Sequence, residues 1–207
     1  MKFTSPFTGF RLEILVDLCD LKISVMEQPR LETERLIIRE MLPSDVDGMF
    51  ELDSNPNVHR YLGNKPIKNI EESRKVIEMV RQQYIDRGIG RWSMEEKETG
   101  KFIGWTGFKV NTEPMNGYTN FLDIGYRLLE SEWGKGYATE SSIACMDYLC
   151  ERGDYDIIYG IAVIGNEASN KILHEKIGMR LTGEFHFEGD DCYFYEITKE
   201  EWLASRK

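Results

Sequence analysis

Residues 133–140 read WGKGYATE, a pattern typical of a turn that binds phosphate at the start of a helix. Gly134 and Gly136 allow the backbone to turn tightly and to come close to a ligand. The first turn of a helix carries backbone N–H groups that have no partner inside the helix, and the helix dipole favours an anion there. Lys135 adds a positive charge beside the glycines. The segment therefore predicts a site for a phosphate or diphosphate group.

Two common nucleotide-binding patterns are absent from the chain. The sequence has no GxxxxGK[ST] segment, and the dinucleotide pattern GxGxxG is broken because its third glycine position is Thr139. A GxG pair alone also occurs in ordinary strand-to-helix turns that bind nothing. The flanking segments favour phosphate binding over that alternative, since a strand-like run at residues 121–129 leads into the loop and a helix-like run to about residue 151 follows it.

Hydrophobic periodicity and turn residues predict the other elements. Ser44 is the predicted N-cap of a first helix. Asn69 begins a second helix, with Glu72 at the spacing of a capping box, and Gly178 ends a later one. The other predicted segments are strands 35–39, 91–95, 101–110, 157–163, 180–187 and 192–198, and helices 44–52, 69 to 88 or 90, and 168–177. This order predicts a mixed α/β domain.

Composition narrows the functional classes. The 207 residues predict one domain, and 41% hydrophobic with 30% charged residues is typical of a globular protein. A net charge of −10 argues against nucleic-acid binding, and no apolar run is long enough for a membrane span. The cysteines show no disulfide or metal spacing, and Cys145 and Cys150 are interpreted as small core residues. We therefore predict a cytoplasmic protein without a metal site.

Residues 1–30 differ in character from the rest and are predicted to be an N-terminal extension of a domain at residues 31–207. One interpretation is that Met26 is the true start of translation. The other is that the extension contains a short strand, because Leu21, Ile23 and Val25 alternate with polar residues.

Four segments together resemble the GNAT superfamily of N-acetyltransferases, and within it the RimJ/RimL-like branch of ribosomal-protein N-terminal acetyltransferases. They are LETERL at residues 31–36, DIGY at 123–126, the loop at 133–140, and NEASN with EKIGM at 166–170 and 175–179. The resemblance implies an α/β fold with a mixed, mostly antiparallel central sheet and helices on both faces. It also implies that acetyl-CoA binds at a splay between two central strands.

The chain departs from the family pattern at two places. Ser131 stands where the family has Arg or Gln, three residues before the first loop glycine. The spacing from Ser169 to Gly178 is one residue longer than in the family, and His174 is interpreted as the added residue. One added residue rotates the rest of a helix by about 100° unless a π-bulge absorbs it. The family's catalytic tyrosine position maps onto His174, so this chain has no tyrosine there.

The resemblance implies direct transfer of an acetyl group from acetyl-CoA to a primary amine, without a metal. Lys171 has an alternative interpretation as part of a solvated helix face, and Glu140 is interpreted as an acid that complements the helix dipole. The predicted cofactor-binding residues are Leu128, Leu129, Trp133, Gly134, Lys135, Gly136, Tyr137, Ala138, Thr139, Asn166, Ser169 and Lys171.

The resemblance also implies three catalytic functions. The backbone N–H of Leu129, or that of Leu128, polarises the thioester carbonyl. Asp123 is the candidate general base, with a solvent-facing strand acid as its alternative. His174 is the candidate proton donor to the CoA thiolate, with Tyr137 as a second candidate. A structural histidine and a tyrosine packed beside the loop are the alternatives for these two.

The acceptor side of the site carries a weaker signal. Glu188, Asp190 and Asp191 form an acidic hairpin tip that would favour a cationic amine, although such tips are often only solvated turns. A groove lined by Trp92, Trp105 and Trp133 is also predicted. The predicted partners are a small-molecule amine or a protein or peptide N-terminus, with a homodimer as an option and neither nucleic acid nor membrane. The alternative function is a catalytically silent module that binds acyl-CoA.

Overall fold

The structure, a computed structural model, describes residues 27–153 and 155–206. The two interpretations of the N-terminal extension concern Met26 and residues 21–25, which lie outside the described residues.

One eight-stranded sheet forms the centre of the described part of the chain. Its spatial order is β1-β2-β3-β4-β5-β6-β8-β7, and every neighbouring pair is antiparallel except β5 and β6. The strands are β1 (Leu31–Glu32), β2 (Leu36–Glu40), β3 (Arg91–Glu96), β4 (Phe102–Asn111), β5 (Phe121–Leu128), β6 (Ile157–Val163), β7 (Arg180–Phe187) and β8 (Asp190–Thr198). The predicted mixed, mostly antiparallel sheet is confirmed.

Helices cover both faces of this sheet. They are α1 (Val46–Ser54), α2 (Ile70–Arg87), α3 (Tyr137–Arg152), α4 (Glu167–Lys171) and α5 (Lys199–Ser205). Trp92 of β3 packs edge-on against Tyr148 of α3, whereas Arg127 of β5 reaches Asp53 of α1 on the opposite face. None of the described helices combines the length and apolarity that crossing a membrane requires.

Most predicted helix ends are found where the sequence placed them. Asn69 and Glu72 form the reciprocal capping box of α2, and Gly88 ends that helix in a left-handed conformation. The prediction of Ser44 as an N-cap is wrong. A 3₁₀ turn, Pro43–Asp45, precedes α1, and Asp45 accepts a hydrogen bond from the Leu42 N–H at 2.9 Å. The short strand β1 and the final helix α5 were not predicted.

Asp45 fixes the start of α1 against the sheet. Its buried carboxylate accepts two hydrogen bonds from Arg39 of β2, at 2.9 Å each, and one from the Ser93 hydroxyl of β3 at 2.7 Å. Burial alone would raise the pKa of Asp45, but the hydrogen bonds from Arg39, Leu42 and Ser93 outweigh it and the pKa is lowered. The orientation of α1 is therefore set by a satisfied buried charge.

The central strands β5 and β6 separate soon after they pair. Only Asp123 with Tyr159 and Ile124 with Gly160 are paired between them, whereas β4 and β5 pair along the whole of β5. Beyond Ile124 the two parallel strands diverge toward their carboxyl ends, and a gap opens in the middle of the sheet. Strand β5 continues past this gap toward the loop at residues 133–140.

The two cysteines of α3 lie in the core, as predicted. Cys145 and Cys150 are both buried, and burial raises the pKa of the Cys145 thiol to about 12. A neutral thiol of this kind is not a nucleophile at neutral pH.

Candidate active site

The loop presents a row of free backbone donors. Gly134 and Gly136 have φ angles of 73° and 85°, a left-handed conformation that glycine adopts without strain. The first backbone hydrogen bond of the following helix runs from Glu140 N–H to Gly136 C=O, at 3.1 Å. Within the described residues, no acceptor is bonded to the N–H groups from Gly134 to Thr139. These donors are therefore open to an anion, and phosphate binding by them stays a prediction.

An ion pair anchors the loop to the turn between β1 and β2. The Glu140 carboxylate accepts hydrogen bonds from the Arg35 Nε at 2.7 Å, the Arg35 backbone N–H at 3.0 Å and the Thr33 hydroxyl at 2.5 Å. Arg35 also donates to the Lys135 carbonyl at 2.9 Å. Burial would raise the pKa of Glu140, but these hydrogen bonds lower it overall. Beyond complementing the helix dipole, Glu140 therefore holds the loop, and the LETERL segment supplies its partners.

The loop side chains turn away from the free N–H groups. The Tyr137 hydroxyl donates to Glu96 at 2.5 Å, and this bond, together with burial, raises the pKa of Tyr137 to about 12. The Trp133 indole N–H donates to the Leu128 carbonyl at 3.0 Å, and Lys135 pairs with Glu132 at 2.9 Å. Tyr137 is thus packed beside the loop, the second of the two interpretations of this residue.

A cavity of about 210 Å³ occupies the gap between β5 and β6. Its walls come from five parts of the chain, and both of the strands that diverge contribute. They are residues 124–126 of β5, residues 161–163 of β6, Asn166, Ser169 and Leu173 after β6, Tyr61, Leu62 and Gly63 between α1 and α2, and Phe187, Glu188, Asp190 and Cys192 of the β7–β8 hairpin. The predicted residues Asn166 and Ser169 are therefore brought to the cavity.

Tyr126 also lines the cavity, although no signal in the sequence assigned it to the site. Its hydroxyl lies 3.0 Å from the Ser169 hydroxyl, and Asn166 holds Ser169 by accepting its backbone N–H at 3.2 Å. Burial is the main cause of the raised pKa of Tyr126. Tyr126 is part of the DIGY segment, but nothing in the sequence shows that its side chain points at Ser169, which is 43 residues away.

The structure does not leave Asp123 free to act as a base. Asp123 is 8% exposed, one carboxylate oxygen accepts from Arg91 Nη2 at 2.8 Å, and the other accepts from Asn111 Nδ2 at 2.5 Å. The expected solvent-facing alternative does not hold either. Because Asp123 also forms one of the two residue pairs with β6, its ion pair fixes the point at which the gap begins.

The Leu129 N–H is not available for a carbonyl oxygen. It donates to the Ile103 carbonyl of β4 at 3.0 Å, so this predicted function is corrected. N–H groups alternate in direction along an antiparallel ladder. Those of Leu128 and Tyr126 therefore point away from β4, toward the gap. Leu128, the other residue considered, is the better-placed donor.

A π-helix accommodates the added residue in the motif after β6. Residues Ile172–Lys176 form this π-helix, and the Ile177 N–H donates to the Ile172 carbonyl at 2.9 Å, five residues back. The exposed His174 has its Nδ1 3.0 Å from the Met179 carbonyl and does not line the cavity. The fold therefore does not bring His174 to the place expected of a proton donor.

The remaining predicted residues divide between surface and core. The Lys171 side chain is 61% exposed and, among the described residues, forms an ion pair with Glu175 alone, at 4.0 Å, which agrees with a solvated helix face. Trp92 is buried in the core, so the predicted tryptophan groove is wrong. Trp105 lies between the guanidinium groups of Arg91 and Arg127, at 5.2 and 5.1 Å.

Across the described ranges there is no cluster of His, Cys, Asp and Glu that could hold a metal.

We expect Asp123→Asn to act on stability and not on proton transfer. The change leaves Arg91, whose side chain is 13% exposed, without its counter-charge, which lowers the free energy of unfolding by about 3 kcal/mol. Urea denaturation measures this loss, and Glu71→Gln, which breaks an exposed ion pair with Arg74, is the control with a loss below about 1 kcal/mol. The plot of kcat/KM against pH should have the same shape for Asp123→Asn as for the wild type. If the variant lost the rise of kcat/KM with pH, Asp123 would again be the candidate base.

Comparison with known proteins identifies the family. The acetyltransferase (GNAT) domain family matches residues 35–180. The uncharacterized N-acetyltransferase YoaA of Bacillus subtilis (strain 168) is 30% identical over 155 residues, which cover 75% of this chain and 85% of YoaA.

Solved structures share the fold. Spermidine N-acetyltransferase from Vibrio cholerae, in complex with CoA and spermine, is 17% identical with a TM-score of 0.66, covering 83% of this chain and 99% of that one. The Salmonella typhimurium acetyl transferase that modifies the N-terminal serine of 50S ribosomal subunit protein L7/L12 is 22% identical with a TM-score of 0.66, covering 80% and 96%. The loop, the divided sheet and the family match together show that this chain belongs to the GNAT acetyltransferase family.

Proposed function

We propose that the protein is an N-acetyltransferase that transfers the acetyl group of acetyl-CoA directly to a primary amine. The observation that carries this proposal is the row of free N–H groups from Gly134 to Thr139, at the end of the strand that borders the gap. A row of this kind binds linked phosphates through hydrogen bonds and through the positive end of the dipole of α3. No described atom lies within 4 Å of a Cβ placed on Gly134, so the loop is open toward a ligand.

The gap between β5 and β6 suits the pantetheine arm of CoA. This arm carries two amide groups, and unpaired strand edges bind amide chains in the way that they bind an added strand. Tyr126 and Leu128 present N–H groups at this edge. We assign the Leu128 N–H to the thioester oxygen, where it stabilises the negative charge that develops during attack.

The reaction needs one proton to leave the amine and one to reach sulfur. The amine nitrogen attacks the thioester carbon, the C–N bond forms, and the C–S bond breaks to give a thiolate. Tyr126 lines the cavity and keeps its proton at neutral pH, since its pKa is raised. A phenol is a weaker acid than a thiol, about 10 against about 8.5. The Tyr126 hydroxyl bonds Ser169 in the unliganded protein; on catalysis it donates instead to the thiolate and stabilises it, and water supplies the proton that finally reaches sulfur.

Two free carboxylates border the acceptor side of the cavity. Glu188 and Asp190 line it and have no hydrogen-bond or ion-pair partner for their carboxylates among the described residues, whereas the neighbouring Asp191 pairs with His186 at 2.9 Å. They favour a cationic amine, and through water they accept its proton. Spermidine and a protein N-terminus, the acceptors of the two structural relatives above, both belong to this chemical class.

Gly136→Asp tests the phosphate site. The new carboxylate meets the bound diphosphate, so we expect CoA affinity, measured by calorimetry, to fall by about a hundredfold or more. Gly100→Asp is the matched control, because the φ of Gly100, 68°, is left-handed like that of Gly136, but Gly100 lies in the β3–β4 turn with open space around it. Equal affinity in the two variants would contradict the site assignment.

Tyr126→Phe tests the hydrogen bond to sulfur. Loss of one donor to developing charge should lower kcat by about a hundredfold with little change in CoA affinity. Tyr195→Phe is the control, since the buried Tyr195 also bonds the helix after β6, at 3.0 Å to Asn170, but lies outside the cavity wall. If both variants retain full kcat, Tyr126 has no part in the reaction.

Amine-dependent release of CoA thiol tests the activity itself. We expect release with spermidine, an aminoglycoside or a peptide bearing a free N-terminus, and a KM for the cationic acceptor that rises about fivefold in Glu188→Gln. Asp191→Asn is the control and should leave this KM unchanged. Tight CoA binding without thiol release for any amine would identify a silent acyl-CoA-binding module instead.

A further inference from the structure

A buried histidine stands beside the cavity without a hydrogen bond. His59 is 7% exposed, and neither of its ring nitrogens has a hydrogen-bond partner among the described residues. Buried polar atoms are almost always bonded, and leaving one unbonded costs about 1–3 kcal/mol. The transfer reaction proposed above makes no use of His59. An unsatisfied ring at this position therefore calls for another explanation.

Burial and the charge of Arg127 disfavour the protonated form of His59, whereas Asp53 favours it. Its Nε2 lies 3.7 Å from Asp53 Oδ1 of α1, an atom that already accepts a hydrogen bond from Arg127 of β5 at 2.5 Å. Asp53 and Arg127 are the charged groups that act on the ring from the packed elements, while Arg60 of the same turn stacks on Tyr61 instead. Burial first, and then Arg127, lower the pKa of His59.

Protonation would unbalance this cluster. Asp53 would carry one negative charge between two cations, His59 and Arg127, in a region that is almost closed to water. An excess buried charge costs several kcal/mol unless a group moves or titrates. Arg127 is held by Asp53 and by stacking on Trp105, so the histidine is the group that is freer to move.

The turn that carries His59 builds one wall of the cavity. The His59 carbonyl accepts hydrogen bonds from Leu62 N–H at 3.0 Å and Asn64 N–H at 3.1 Å. Tyr61, Leu62 and Gly63 line the cavity. A displacement of His59 would therefore move the wall.

We propose that His59 is an acid-sensitive latch: as a neutral ring it holds the 58–64 turn against β5 and closes the cavity wall, and on protonation it releases the turn. The direction of the pH effect follows from the linkage between protonation and opening. A histidine whose pKa is lowered in the closed state favours that state above the ordinary value of 6.5, and the preference is lost as the pH falls below it.

Hydrogen exchange of the unliganded full-length protein tests the latch without reference to catalysis. One proton is linked to opening, so corrected exchange of residues 58–64 should rise by up to about tenfold between pH 7.5 and 5.5. His59→Gln cannot gain the charge and should abolish this rise. His186→Gln, which changes the exposed histidine paired with Asp191, should leave it intact. A rise that persists in His59→Gln, or none in the wild type, would overturn the proposal.

A second measurement decides the matter if His59→Gln does not fold. The imidazole of His59 in the wild type can be followed by NMR through the same pH range. The latch requires its titration and the increase in exchange of residues 58–64 to share one midpoint. Different midpoints, or loss of protection across the whole sheet at once, would contradict a local release of this turn.

Discussion

The brief pairing of β5 with β6 is the constraint on which the rest of the site depends. Two residue pairs join these parallel strands before they diverge, and the cavity occupies the space that results. Parallel neighbours need a crossover, here α3, whose first turn must begin near the end of β5. The same topology therefore leaves strand-edge N–H groups facing the gap and helix N–H groups facing its open end. A divided sheet and an anion site are two consequences of one arrangement.

Several acidic residues that suggest chemistry hold this arrangement in place instead. Asp123 pairs with Arg91 at the start of the gap, and Glu140 ties the loop to Arg35. A buried carboxylate is costly unless it is paired, so a position inside the fold commits it to a partner. Glu188 and Asp190, whose carboxylates have no partner among the described residues, are on a hairpin that borders the cavity. The carboxylates that could interact with the acceptor amine therefore lie at the periphery of the fold.

The local features were accessible from the sequence because they depend on neighbouring residues. The two loop glycines and the Asn69 cap follow from short spacings, whereas the added residue after β6 left a π-bulge and a rotated helix as alternatives, and the structure shows the π-helix. Functions that depend on distant contacts were not accessible. The Asp123 carboxylate meets an arginine 32 residues away, and the Leu129 N–H is taken by a carbonyl of the adjacent strand. Short-range patterns do not contain these pairings.

The sequence by itself predicted most of the elements in their order and the loop that presents free backbone donors, because glycine conformation, helix caps and hydrophobic periodicity act over a few residues. Its motifs, separately, showed the resemblance to the GNAT family. Only the tertiary structure decided which polar groups are free. In the tertiary structure the Leu129 N–H is bonded to a carbonyl of β4 and Asp123 is paired with Arg91. His174 lies outside the cavity, and Tyr126 lies in its wall. Whether a group can react depends on what already occupies its hydrogen bonds, and strand register and helix packing set that.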